Sequence, residues 1–134
     1  YIHAGSRLGV LLEINCETDF VGKTDGFSEL AHNIAMQIAA TNPISLNIES
    51  LDESIVNREK SIFKEQAESE GKPENIIEKM IEGRMQKFFQ ESCLLEQTYI
   101  KDPDKKVKDL ITESIATLGE NISINRFIRF AIGE

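Results

Sequence analysis

The chain has 134 residues, 40% of them hydrophobic and 28% charged, with a formal net charge of −8 at pH 7. This length suits one domain with one core, and the composition is that of a folded globular protein. The acidic balance argues against nucleic-acid binding, which relies on Lys and Arg to neutralise phosphates. No apolar run approaches the roughly 18 residues of a membrane span.

The two cysteines, Cys16 and Cys93, lie far apart and do not form the framework of a small secreted fold. With His3 and His32 they offer no metal-ligand spacing, so neither a metal nor a cofactor is expected. The chain opens on Tyr1, without an initiator methionine or a signal-peptide pattern, which suggests a piece of a longer chain.

Residues 7–16, RLGVLLEINC, alternate, with Leu8, Val10, Leu12, Ile14 and Cys16 on one face, and predict a strand. Tyr1, Ile2 and His3, ahead of Ala4-Gly5-Ser6, read as its hairpin partner. Thr24 is placed to cap a helix whose stripe is Phe27, Leu30, Ala31, Ile34 and Ile38, and Asn42-Pro43 ends it. Residues 44–51 read as an extended connector.

Asp52 caps a second helix reaching about Glu70, with Ile55, Ile62, Phe63 and Ala67 inward and Gly71 as its stop. Pro73 starts a third helix in its first turn. It runs through IIEKMIEGRMQKFFQESCLL, with Ile77, Met80, Ile81, the Arg84 stem and Phe88 along one side. Asp102, Pro103 and Asp104 supply start signals for a fourth helix, KKVKDLITESIATL, which Gly119 stops.

NISINRFIRFAI closes the chain as a strand with Ile122, Ile124, Ile128, Phe130 and Ile132 on one face. Arg126 interrupts that face, and its charge requires a carboxylate, backbone carbonyls or the rim. The order β-β-α(n)-β reads as an α+β domain: a small antiparallel sheet of about three strands, covered on one face by helices. Its open edges invite pairing with another chain.

Chemical motifs are sparse. The sequence contains neither a phosphate-cradling G-x-x-x-x-G-K-[ST] loop nor a G-x-S-x-G elbow. Cys16 across a hairpin from His3 is a conceivable nucleophile and base, but the strand pattern favours a small buried hydrophobe. Two features stand out. In CETDFV, Thr18 and Asp19 can each cap a turn, while Phe20 and Val21 either tuck under the next helix or form a probe for another protein. Met36 lies opposite the buried stripe, beside Ala40, as a contact surface or as a scattered surface apolar residue.

Several blocks, in order along nearly the whole chain, resemble the bacterial elongation factor Ts family. They are YIHAGSRLGVLLEINCETDFV, IAMQIAATNP, EGKPENIIEKMIEGRMQKF, CLLEQTYIKDPDKKVKDL and GENISINRFIRF. Glu13 through Lys23 match the family motif E-[LIVM]-N-C-[QE]-T-D-F-V-[SA]-[KR], except that Gly22 replaces the small Ser or Ala.

The resemblance implies a non-enzymatic guanine-nucleotide exchange factor for elongation factor Tu, acting in translation elongation. Thr18, Asp19, Phe20 and Val21 would enter the partner's G domain and dislodge its magnesium. Met36 and Gln37 would approach the phosphate-binding loop, where the family often carries a histidine in place of Gln37. It further implies that residues 1–134 are one core, or dimerisation, domain lacking an N-terminal helical module. Such a domain would form a homodimer and work in the bacterial cytoplasm or in an organelle matrix or stroma. The alternative is a core that dimerises and docks without driving exchange.

Overall fold

The computed structural model describes all residues from Tyr1 to Glu134. Its elements are strand β1 (Leu8–Asn15), the one-turn helix α1 (Asp19–Gly22), helices α2 (Asp25–Thr41), α3 (Glu53–Ser69) and α4 (Glu74–Ser92), strands β2 (Thr98–Tyr99) and β3 (Asp102–Lys106), helix α5 (Val107–Leu118) and strand β4 (Ser123–Ala131). The small antiparallel sheets and five helices make it an α+β fold, as the pattern predicts. The chain divides into two compact units, one of residues 1–43 with 98–134 and the other of residues 44–97.

In the first unit β1 pairs antiparallel with β4. On its other edge, Tyr1 exchanges backbone hydrogen bonds with Val10 and the His3 N–H donates to Leu8 O, so the first residues do form the expected hairpin arm. Gly5 and Ser6 turn that hairpin with positive φ of 88° and 55°.

Helix α2 packs against β1, with Phe27, Leu30, Ile34 and Ile38 of the expected stripe buried and Ala31 half-buried. It begins where the sequence places it: Thr24 Oγ1 accepts the Phe27 N–H at 3.2 Å. It ends at Asn42 in the left-handed conformation, with φ 47°.

The last strand differs from its expected phase. Glu13 pairs with Arg126 but Ile14 pairs with Ile124, so Asn125 is an extra residue, a β-bulge. Because strand side chains alternate with period two, one extra residue exchanges the faces beyond it. Ile122 and Ile124 are buried, whereas Ile128, Phe130 and Ile132 point outward and Phe127, Arg129 and Ala131 take the inner positions.

The bulge also disposes of the Arg126 charge. Arg126 is exposed and its Nε donates to Glu13 Oε2 at 2.7 Å. This hydrogen bond, joined by one from Asn125, holds the Glu13 carboxyl below its ordinary range. Arg129 is the inner charge: its Nε donates to the Ala39 carbonyl near the end of α2 and its Nη1 to Glu134. A cation is favourable at that helix end.

The outer face of this sheet is apolar and uncovered. Leu11 opposite Ile128, and Phe130 opposite Gly9, form its centre, with Leu11 74% and Phe130 72% exposed.

Asp102, Pro103 and Asp104 do not start a helix. They lie in β3, which pairs with β2 in a short hairpin. Helix α5 starts later, where the Lys106 N–H donates to Asp109 Oδ2 at 2.9 Å. Gly119 ends it in the left-handed conformation at φ 77°.

In the second unit α3 and α4 pack side by side, and Gly71, at φ 73°, lies between them. Asp52 caps α3 by accepting the Ser54 N–H at 2.9 Å. Ala67, Ile77 and Met85 are buried. Met85 lies off the side expected for α4, while Arg84 stays exposed, 5.7 Å from the Phe63 ring. Pro73 caps α4 rather than entering it, and the helix ends at Ser92, short of the expected Leu95. The next residues run alongside the 44–46 segment: Ile44 N–H donates to Ser92 O, and Leu94 N–H to Ser45 O. Cys93 is fully buried there, its Sγ 3.5 Å from Ser45 Oγ. Burial is the main cause that raises its thiol pKa.

Candidate functional site

The stretch CETDFV leaves β1 and immediately tightens into α1. Thr18 is extended, at φ −130° and ψ 155°, and its Oγ1 accepts the Val21 N–H at 3.4 Å. Gly22 N–H returns to Thr18 O and Lys23 N–H to Asp19 O. Thr24 then serves two roles, donating its hydroxyl to Val21 O at 2.7 Å while capping α2. Short-range bonds thus tie Thr18, Val21, Gly22, Lys23 and Thr24 together between strand and helix.

What the turn displays follows from that geometry. Asp19 occupies the first position of α1 and does not cap it, so of the two expected caps only Thr18 serves. Val21 is half-buried. The Phe20 ring is 87% exposed, which excludes the reading in which it tucks under the following helix. An exposed phenylalanine on a hydrogen-bonded turn gains nothing for the chain's own core.

The Gly22 departure is mild. A Cβ there would meet Cys16 Sγ at 3.5 Å, an ordinary contact that Ser or Ala makes without strain. Cys16 itself is half-buried and donates to Thr18 O at 3.2 Å, while His3 Nδ1 bonds the Tyr1 hydroxyl. The nucleophile and base pairing is therefore not formed.

Neither Met36 nor Gln37 is exposed. Met36 is half-buried rather than exposed. Gln37 is fully buried: its Nε2 donates to Thr98 O at 3.0 Å and its Oε1 accepts the Ile100 N–H at 2.9 Å. The amide spans donor and acceptor on the backbone beside β2, so it fixes α2 to that hairpin rather than reaching solvent. Thr18, Asp19, Phe20 and Val21 share one turn, while Met36 and Gln37 sit near the far end of α2.

Sequence reasoning missed Glu17, Glu120 and Asn121. Glu120 Oε1 accepts the N–H groups of Glu17 and Thr18 at 3.1 and 3.0 Å, and its Oε2 accepts the Thr18 hydroxyl at 2.6 Å. Glu17 Oε2 accepts the Asn121 N–H at 3.0 Å in return. Gly-Glu-Asn at 119–121 stands within a block carrying the resemblance, but nothing local in it points to a partner about a hundred residues away.

No cluster of three His, Cys, Asp or Glu side chains converges to hold a metal ion. No helix is long and apolar enough to cross a membrane. The fold and the turn define an α+β protein that presents an aromatic ring from a braced loop. The Elongation factor TS family model matches residues 1–134, and the chain belongs to that family.

Among its relatives, the elongation factor Ts of Syntrophomonas wolfei is 62% identical over 134 residues, covering 100% of this chain and 63% of the relative. That of Carboxydothermus hydrogenoformans is 58% identical, covering 100% and 62%. That of Syntrophobacter fumaroxidans is 54% identical over 133 residues, covering 99% and 66%. The chain thus spans just under two thirds of the length of these relatives.

Proposed function

We propose that this chain is the core domain of a guanine-nucleotide exchange factor for elongation factor Tu in translation elongation. The observation that carries the reading is the 87% exposed Phe20 on a capped turn, within a member of the elongation factor Ts family. In this reading Asp19 and Phe20 enter between two helices of the partner's G domain and displace the structure that holds magnesium there. Thr18 sets the turn, and Val21 packs beneath it.

A second contact forms along the C-terminal half of α2. Met36 meets the partner, and Gln37, through its buried amide, keeps that helix end in place. No covalent chemistry is required. A factor that binds the nucleotide-free partner better than the GDP-bound one weakens GDP binding by the same ratio.

We further propose that a second copy covers the outer sheet face around Leu11, Ile128 and Phe130. The same apolar patch then meets itself across a two-fold axis, and each partner molecule touches one motif from each subunit. The setting is the bacterial cytoplasm or an organelle derived from it.

Release of fluorescent GDP from elongation factor Tu, with and without the chain, tests exchange. Acceleration that saturates with chain concentration is the expected result, and release at the buffer rate refutes it. In a second reading the core dimerises and docks but does not drive exchange. Binding to elongation factor Tu without faster release distinguishes it. Light scattering that reports one chain at tens of micromolar refutes the dimer.

A further inference from the structure

The Phe20 turn is held from outside as well as within. Three donors, the N–H groups of Glu17 and Thr18 and the Thr18 hydroxyl, converge on the single carboxylate of Glu120. The Glu17 carboxylate in turn accepts the Asn121 N–H. These bonds join positions 102 to 104 residues apart, so they lock the start of the turn to the junction of α5 and β4. A carboxylate suits the position because it only accepts and has two oxygens for three donors. The Thr18 oxygen that donates to Glu120 is the same one that caps α1 by accepting Val21 N–H. The external brace and the internal cap are one network, with Phe20 between Thr18 and Val21.

We propose that Glu120 is a positioning residue for Phe20: it keeps the turn in the conformation that projects the ring toward the partner. This rests on the exchange reading above. The Glu17 and Thr18 residues are exposed, so without Glu120 their amides turn to water and the turn samples other conformations. Apparent affinity then falls with the fraction of turns that remain competent, about tenfold if that fraction falls to about a tenth.

The test uses the full-length protein with Glu120→Ala, Glu120→Gln, Phe20→Ala and the Glu120→Ala/Phe20→Ala pair. GDP release from elongation factor Tu is followed against factor concentration, with amide hydrogen exchange at Glu17 and Thr18 and a thermal melt. Glu120→Ala is expected to raise the half-saturating concentration about tenfold, leave the maximal rate unchanged and speed exchange of both amides. Glu120→Gln recovers part of the loss, because its carbonyl oxygen still accepts. On the Phe20→Ala background Glu120→Ala adds nothing, since there is no ring left to position.

Parental exchange by Glu120→Ala despite unprotected amides overturns the proposal. So does a loss that adds in full to that of Phe20→Ala, which places the effect elsewhere than the ring. A parent protein that releases no GDP above the buffer rate refutes the exchange reading itself, and positioning for exchange falls with it.

Discussion

Replacing Phe20 by alanine separates a ring that serves a partner from one that serves the fold. The ring is 87% exposed and the turn beneath it is held by backbone and threonine bonds that the substitution leaves intact. A surface change of this kind stays within about 0.5 kcal/mol of the parent, so the melting temperature should barely move. Burial of the ring in the partner is worth roughly 1.5–3 kcal/mol. At about 1.4 kcal/mol per decade, its loss should weaken productive association by on the order of ten- to a hundredfold. Fluorescent GDP release from elongation factor Tu, titrated with parent and variant, reads that factor directly. A thermal melt of the free protein supplies the control. If Phe20→Ala loses roughly 3–5 kcal/mol of stability, as a buried phenylalanine does, and its folded fraction exchanges normally, the ring is a packing residue and the argument from exposure fails.

Gln37→Leu leaves Thr98 O and Ile100 N–H without their present partner. Both bonds are part-buried, so the loss is at the low end of the roughly 1–3 kcal/mol for an unsatisfied buried group; urea unfolding should show a loss of about 1 kcal/mol or more, and a neutral change refutes the bracing role. The Glu13 carboxyl is held below its ordinary range by Arg126. The stability it contributes is therefore present above the ordinary carboxylate range and is lost as pH falls through its lowered value. The parent's advantage over Glu13→Gln should shrink on acidification, and a gap that widens toward low pH contradicts the assignment. Cys93 is buried with a raised pKa and Cys16 is half-buried, so iodoacetamide should label Cys16 first and reach Cys93 only on unfolding. Mass spectrometry showing Cys93 labelled first in the native protein counts against the packing described around Ser45.

Much of the local structure was legible in the residues themselves. Thr24 and Asp52 start helices and Gly119 ends one through bonds to groups two to four residues away, and the alternation of Leu8 to Ile14 needs only the pleat of one strand. The TDFV motif was legible in the same way, because the Thr18 cap and the Thr24 return bond both close within three residues. The exposure of Phe20 was not, since a cap fixes the backbone and leaves open whether a neighbouring element covers the ring. The other features that only tertiary structure decided join residues distant in sequence. The bulge at Asn125 shifts the pairing of β4 with β1, and it turned three residues expected inside to the outer face. The stretch at 102–104 carries helix-start residues, yet the pairing of Asp102 with Tyr99 and of Lys106 with Thr98 made it part of a strand. Gln37 has no local partner that its sequence neighbours reveal, and β2, 61 residues on, supplies the carbonyl for its amide. Glu120 meets Thr18 across 102 residues. Local bonds are specified by spacing along the chain, whereas register, burial and long-range polar contacts depend on which surfaces the folded chain brings together.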